Sequence, residues 1–262
     1  MTPLPRESAT LVPMRERPGA APEVLLVQRH AKVRSAAGAF VFPGGILEPQ
    51  DYAPETLALC AGMRPDQAAK LLGTVESPER ALGYFYAAIR ETFEETGILL
   101  ARDRSDRSWH AQGAALREAR AALRERGQTL ARWLSERELL PAVEDLVYFA
   151  HWITPVGIAL RFDTRFFLVV VDAASVAEPD QEEIVECRWM TPADALAAYH
   201  GNAMQMINAT VRNLELLAAF TCANEACERL RGRTVSTVTP KMVPHAGGFR
   251  FVHPWEPGYD AL

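Results

Sequence analysis

Glu91, Glu94 and Glu95 stand at i, i+3 and i+4 within Arg90-Glu91-Thr92-Phe93-Glu94-Glu95-Thr96-Gly97-Ile98. On a helix this spacing puts three carboxylates on one face, where they repel one another unless cations compensate. Hard oxygen donors of this kind suit Mg²⁺ or Mn²⁺, and Mg²⁺ commonly binds through a few carboxylates together with substrate phosphate oxygens. Arg90 can grip one carboxylate through a bidentate contact and fix its direction. Gly97 lets the chain turn sharply out of the helix. An acidic cluster met by itself is best read as a solvated helix face. Here a second motif argues against that reading.

Upstream lies Phe42-Pro43-Gly44-Gly45, followed by five residues and Asp51. Taken with the acidic stretch, this resembles the Nudix box: Gly, five residues, Glu, seven residues, then Arg-Glu-U-x-Glu-Glu-x-Gly-U, with U apolar. There are departures. Thr92 fills the first U, Asp51 stands where the box has Glu, and 38 residues separate Asp51 from Arg90 instead of seven, an insertion of 31. The branch of the family that includes peroxisomal-type coenzyme A diphosphatases is similar in carrying a long helical insertion at this point. His151-Trp152-Ile153-Thr154-Pro155 and Arg161-Phe162-Asp163-Thr164-Arg165-Phe166-Phe167 also resemble stretches of that branch. The resemblance runs from about Leu25 to the helix after Trp189.

The resemblance implies a Mg²⁺-dependent hydrolase, with Mn²⁺ as the alternative ion, that uses water to split the diphosphate of a small nucleoside-diphosphate derivative. Glu91 and Glu95 would be the main metal ligands, with Glu94 assisting and the carbonyl of Gly45 adding a donor, while Arg90 orients Glu91. The general base is left open between a box glutamate and a Glu on a late acidic loop. Here that loop is Glu178-Pro179-Asp180-Gln181-Glu182-Glu183; Glu183 is the choice and Glu182 the second. Asp51, shorter than the Glu it replaces, is expected to serve the turn.

The box does not choose the substrate. Leu25-Leu26-Val27-Gln28-Arg29-His30, then Arg34, Gly38 and Phe42-Pro43-Gly44-Gly45, resembles the coenzyme A signature of the family, Leu-Leu-Thr-x-Arg-Ser/Ala, three residues, Arg, three residues, Gly, three residues, Phe-Pro-Gly-Gly. Every spacing is kept, with Val27 for Thr and His30 for Ser/Ala. Arg29, Lys32 and Arg34 would set positive charge beside the metal site, which suits a substrate carrying a 3′-phosphate besides its diphosphate; the bland alternative is surface charge on a strand and loop. Coenzyme A or acyl-CoA, split to phosphopantetheine and 3′,5′-ADP, is the leading substrate. ADP-ribose, NADH or another nucleotide is the alternative within the same chemistry. A catalytically inactive Nudix-fold binding module is the alternative from another class, although such modules usually lose box glutamates.

The elements that must hold these residues are mixed α and β. Val24–Arg29 and Ala39–Phe42 read as short buried strands, the second stopped by a Pro-Gly-Gly turn, and an edge strand is expected near Ala9–Pro13. Residues Pro54–Gly73 predict two short helices broken at Pro65. Pro78–Thr96 predicts one helix with Ser77 as N-cap, Pro78 at its first position and Gly97 as its stop. A helical segment follows over 112–140. Strands are expected at 145–153, 165–172 and 184–190, a helix at Pro192–His200 capped by Thr191, one longer helix at Asn208–Arg231, and a hairpin in 234–252. The expected fold is α/β: the α/β/α sandwich of the Nudix type, a mixed sheet with helical insertions. A single domain over 1–262 is expected, with the insertion at 52–89 and a helical and hairpin extension over 205–262.

The whole chain agrees with this. Its 262 residues are 48% hydrophobic and 23% charged, a globular composition. The net charge of −5 speaks against nucleic acid as the main partner. The four cysteines have neither Cys-x-x-Cys nor zinc spacing, which fits idle thiols in a reducing cytoplasm. No signal peptide, retrieval signal or run long enough to span a membrane is apparent. The expected setting is cytoplasmic with no membrane partner, and a homodimer is compatible with it.

Overall fold

A computed structural model of the chain describes residues 4–261, apart from 74, 106–107, 109–113, 125–127 and 246. In chain order the strands and helices are β1 (Arg6–Arg17), β2 (Ala20–Arg29), β3 (Phe40–Val41), β4 (Gly44–Ile46), α1 (Pro54–Leu57), α2 (Pro65–Leu72), α3 (Pro78–Thr96) and β5 (Ala101–Asp103). Then come α4 (Ala114–Arg124), α5 (Leu130–Ser135), β6 (Leu139–Pro141), β7 (Val147–Ile153), β8 (Phe162–Val171) and β9 (Ile184–Met190). The chain ends with α6 (Pro192–His200), α7 (Asn208–Leu217), α8 (Ala223–Leu230), β10 (Thr237–Val238), β11 (Lys241–His245) and β12 (Gly248–Val252).

The main sheet runs β10-β7-β8-β1-β2-β3, with β4 also on β1 and β9 also on β2. It is mixed: β1 pairs parallel with β8 and β10 parallel with β7, while the other pairings are antiparallel. Both faces are covered. Ala9, Leu11, Leu25 and Val27 join the core beneath α3, and Val12, Met14, Val24 and Leu26 join the core beneath α6, α7 and α8. A strand buried on both faces reads as an unbroken apolar run, which is why Val24–Val27 does not alternate with polar residues. Two helical layers around a mixed sheet are the expected α/β/α sandwich.

Strand β1 is not an edge strand, as the sequence reading had it, but the central one. Its internal proline is accommodated at this central position. Pro cannot donate to a ladder, so it argues for an edge. Leu11 N donates to Pro43 O, and by the period of two the nitrogen of Pro13 faces the same side. There β1 passes from β4, paired at Ser8–Thr10, to β2, paired from Met14, so no N–H is needed.

Helix α3 forms as expected. Ser77 Oγ accepts from Arg80 N, Pro78 follows it, and Gly97 ends the helix at φ +74°. Every residue from Ala81 to Arg90 is buried, because the sheet covers one side and the insertion covers the other: Cys60, Met63, Ala68 and Leu72 share a core with Phe85 and Ile89. Two other expectations are corrected. The Pro-Gly-Gly segment is a turn only in part, since Gly44–Ile46 pairs with β1 as β4. The single helix over Asn208–Arg231 is two helices, α7 and α8. The buried positions Val211, Leu214, Leu217, Phe220, Ala223 and Ala226 recur every three residues. On a straight helix of 3.6 residues per turn each such step falls back by about 60°, so one rod could not keep them all on the sheet. Within the expected helical segment over 112–140, residues 112–113 and 125–127 lie outside the described residues; α4 and α5 are helical as expected, but the segment does not stay helical to its end, since Leu139–Pro141 is strand β6, paired antiparallel with β5.

Candidate active site

The acidic face of α3 meets the sheet at the glycine pair. Gly44 N donates to Glu95 Oε2 at 2.9 Å. A Cβ on Gly44 would lie 2.4 Å from Ala9 O, and one on Gly45 would lie 2.4 Å from the Glu91 carboxylate. Only a strand without side chains at both positions can pass between β1 and the helix, with Gly44 N on Glu95 and the Gly45 main chain close against the Glu91 carboxylate.

Below this contact Arg90 is nearly sealed from solvent, and its guanidinium is fully occupied. Nε and Nη2 grip Asp51 at 2.7 and 2.8 Å, Nη2 also donates to Ile46 O at 3.0 Å, and Nη1 reaches Glu91 at 2.9 Å and Glu94 at 3.1 Å. The bidentate partner is therefore Asp51, and Glu91 and Glu94 share the remaining nitrogen. Asp51 also takes Glu48 N at 2.8 Å, closing the short 3₁₀ turn Pro49–Tyr52. It thus serves the turn, as expected, and anchors Arg90 as well, which the sequence reading did not foresee. The two halves of the box, 38 residues apart in the chain, are joined by this buried pair. Burial disfavours the Arg90 cation, but Glu91, Asp51 and Glu94 more than offset it and hold its pKa well above the ordinary arginine value.

The three glutamates are held in an environment short of positive charge. Burial pushes Glu91 up to about 7 against the pull of Arg90. Burial raises Glu94 too, and it raises Glu95 well above the usual carboxylate range, with the charge of Glu91 adding to the effect. Among the described residues no three His, Cys, Asp or Glu side chains stand arranged to hold a metal ion; Glu91 and Glu94 are turned towards Arg90 Nη1, and Glu95 towards Gly44 N. The donor set still fits a hard divalent cation. Three clustered carboxylates are only partly compensated by Arg90 and Arg29, and a glycine main chain is packed against one of them.

Arg29, at the end of β2, lies across the opening of this cluster. Its Nη1 is 3.7 Å from Glu95 Oε1, its Nη2 is 3.5 Å from Glu183 Oε2, and its Nε donates to Ser35 O. The structure thus brings Glu183 to the box. Its carboxylate is exposed, while Asp180 accepts from its N–H and its own carbonyl accepts from His30 N. Glu182 has its N–H on Asp180 Oδ1 as well, but no contact ties its carboxylate to Arg29. Lys32 and Arg34 are exposed on the loop between β2 and β3 and make no ion pair with the glutamates. They are not gathered into the cluster as Arg29 is.

Arg120 is a residue the sequence reading missed. It is buried on α4, donates to Glu94 O through Nε and Nη2, to Glu95 O through Nη2 and to Glu178 O through Nη1. A signal existed: Leu116, Ala119, Arg120 and Leu123 fall at i, i+3, i+4 and i+7, so one arginine sits in the apolar stripe. The stretches 151–155 and 161–167 build something else, a buried polar joint between β7 and β8. His151 pairs with Asp163 at 2.5 Å and with Thr237, and Arg165 bonds Asp163 at 3.0 Å while lying over the Tyr84 ring. Burial pushes the Asp163 carboxyl up, but His151 and Arg165 outweigh it and hold it below the usual carboxylate range. Next to the glycine pair, on the α7 side of the sheet, a mostly apolar cavity of about 320 Å³ is lined by Thr10, Ser35, Phe42, Ile153, Phe166 and Ile207 among others.

A mixed sheet between helical layers, with a glycine strand locked onto a glutamate-bearing helix, is the arrangement of Nudix proteins. The family model for the NUDT19 Nudix domain matches residues 77–215, just over half of the chain, and the chain belongs to this family. The acyl-coenzyme A diphosphatase NUDT19 of Xenopus laevis is 28% identical over 235 residues, 78% of this chain and 61% of that protein. The Homo sapiens protein of the same name is 27% identical over 262 residues, 87% of this chain and 69% of its own length. The chain thus spans 61% and 69% of the length of these two relatives. A solved Nudix hydrolase from Alicyclobacillus acidocaldarius superposes with a TM-score of 0.75 at 28% identity, covering 89% of this chain and 100% of that one. No helix among the described residues is long and apolar enough to cross a membrane.

Proposed function

We propose that this protein hydrolyses the diphosphate of coenzyme A or acyl-CoA, releasing phosphopantetheine or its acyl form and 3′,5′-ADP. The observation that carries this reading is Arg29: the arginine of the coenzyme A-like signature bridges Glu95 of the box helix and Glu183 of the acidic loop. The names of the relatives above support the same substrate. Glu91, Glu94, Glu95 and the Gly45 carbonyl would hold a divalent cation, Mg²⁺ first and Mn²⁺ second. Such an ion, when bound, neutralises diphosphate charge, polarises phosphoryl oxygens and lowers the pKa of water.

The chain's own residues supply the rest. Arg90 touches no substrate from its buried position; it fixes Glu91 and Glu94 in direction while Asp51 fixes Arg90. Glu183, exposed at the mouth, accepts the proton of the attacking water as its oxygen bonds to phosphorus and the bridging P–O bond breaks. Arg29 offers its guanidinium to a phosphate oxygen, and Lys32 and Arg34 supply a cationic rim for the 3′-phosphate. The neighbouring apolar cavity has room for an uncharged part of the substrate. Single domain organisation over 1–262 and a cytoplasmic setting belong to this same reading.

The test is an assay of the pure protein with Mg²⁺ on coenzyme A, an acyl-CoA, ADP-ribose, NADH and nucleoside triphosphates, with products identified by mass. The expected products are 3′,5′-ADP and a phosphopantetheine. Faster turnover of ADP-ribose or a triphosphate than of either CoA would overturn the substrate. No turnover of any of them, in a protein that binds Mg²⁺, would favour a binding module.

A further inference from the structure

We propose that Arg120 is a positioning residue for hydrolysis: it fixes the distance between the glutamates of α3 and the acidic loop that carries Glu183. The inference rests on the functional reading above for its consequence, but the geometry is independent of it. The last turn of any helix leaves carbonyls without partners, and a cation there is favoured by the helix dipole. Arg120 could have satisfied that role alone. Instead it divides its donors. Nε and Nη2 take the carbonyls of Glu94 and Glu95, the residues whose side chains form the acidic face, and Nη1 takes the carbonyl of Glu178 at 2.8 Å.

Glu178 opens the acidic loop, and its N–H donates to Thr96 O. One buried guanidinium and one main-chain bond therefore tie the start of the loop to the end of the helix. The far end is fixed separately, by Asp180 on the N–H groups of Glu183 and Ile184 and by His30 N on Glu183 O. The loop is held at both ends: Arg120 references its start to the main chain of α3, while at its far end Arg29 reaches the Glu95 and Glu183 carboxylates at 3.7 and 3.5 Å. Arg117 also meets Glu178, at 3.1 Å, but that pair is exposed and such pairs contribute little. Gly97 leaves room for this arrangement: a Cβ there would sit 3.4 Å from Arg120 Nη1, at a φ of +74° that disfavours side chains in any case. The helical segment before residue 125 thereby gains a task, that of presenting one arginine.

The test compares wild type with Arg120→Lys and Arg120→Met by thermal unfolding, steady-state kinetics and amide hydrogen exchange. In Arg120→Met the amides of residues 178–184 are expected to exchange on the order of tenfold faster or more, from the lost charge-assisted bonds, while those of Ala87–Thr92 keep their protection. The turnover number per folded molecule should fall by about a hundredfold, as expected for a misplaced group, with KM changed by less than about threefold. Arg120→Lys, which keeps the charge and part of the reach, should be intermediate and covers the case in which the methionine variant does not fold. A lower Tm with kcat and loop exchange equal to wild type would reduce Arg120 to a helix cap and overturn the proposal. Wild type inactive on every diphosphate would instead refute the functional reading, and the exchange measurement would still decide whether the clamp exists.

Discussion

At the scale of single residues, the site is a set of carboxylates held by three kinds of donor. Glu95 is fixed by a main-chain N–H, Glu91 and Glu94 by one nitrogen of Arg90, and Glu183 by Arg29. This makes the substitutions separable. In Glu95→Gln the amide oxygen can still accept from Gly44 N, so the Tm should stay within a few degrees of wild type. The charge is lost, and with it several kcal/mol of cation-dependent stabilisation, so turnover at saturating Mg²⁺ should fall on the order of a thousandfold. Near-normal turnover would remove Glu95 from the metal site. Glu183→Gln should behave differently. A general base contributes roughly a hundred- to ten-thousand-fold, and the residue lies outside the buried cluster. The rate should drop within that range while Mg²⁺ affinity, read by titration calorimetry, stays unchanged. An unaltered rate would return the base to the box, with Glu91 next in line.

At the scale of elements, the insertion between the two halves of the box reads as a cover for α3. Cys60, Met63, Ala68 and Leu72 pack into the core that α3 shares with the sheet, and none of the insertion's residues lines the cavity beside the glycine pair. Leu72→Ala should then cost about 2–5 kcal/mol of stability, measured by urea unfolding, and leave the ratio of kcat/KM for coenzyme A over ADP-ribose as it is in wild type. A shifted ratio at unchanged stability would make the insertion a wall of the substrate cleft.

The same scale explains what the sequence disclosed. Helix α3 was legible to the residue because Ser77, Pro78 and Gly97 are local signals that act through the chain's own backbone. The two-helix insertion was legible for the same reason, through Pro65. What stayed hidden depends on distant partners. Asp51 looked like a shortened glutamate until Arg90 was found against it, and β1 looked like an edge because the absence of a neighbour at Pro13 is set by where β4 ends. The break between α7 and α8 was present as a three-residue period but passed for the usual helical one. Arg120 is marked in the sequence only by its place in the apolar stripe of Leu116, Ala119 and Leu123, while the carbonyls it binds lie on distant segments.

At the scale of the whole molecule, the charge state of the box is coupled to stability. The fold sets the carboxylates of Glu91, Glu94, Glu95 and Asp51 against the guanidinium of Arg90, with Arg29 at the margin, so the folded state carries an acidic cluster that the unfolded chain can disperse into water. A divalent cation that binds only the folded cluster must therefore raise stability by mass action. The gain is about 2.7 kcal/mol at a hundred times the dissociation constant, or roughly 5–10 °C in Tm for a chain of this size. Wild type is expected to show that rise on addition of Mg²⁺ after treatment with a chelator, to saturate, and to lose it again with excess chelator. Glu95→Gln should start at a similar Tm and respond much less, because the ligand charge is gone, and Glu183→Gln should respond like wild type. Calorimetric unfolding at matched ionic strength separates this from salt screening, since NaCl brought to the same ionic strength should give only a small shift. A wild-type Tm indifferent to Mg²⁺ and Mn²⁺ up to millimolar concentration would mean that the three carboxylates are stabilised by Arg90 and the backbone alone, and that the cluster is not a cation site.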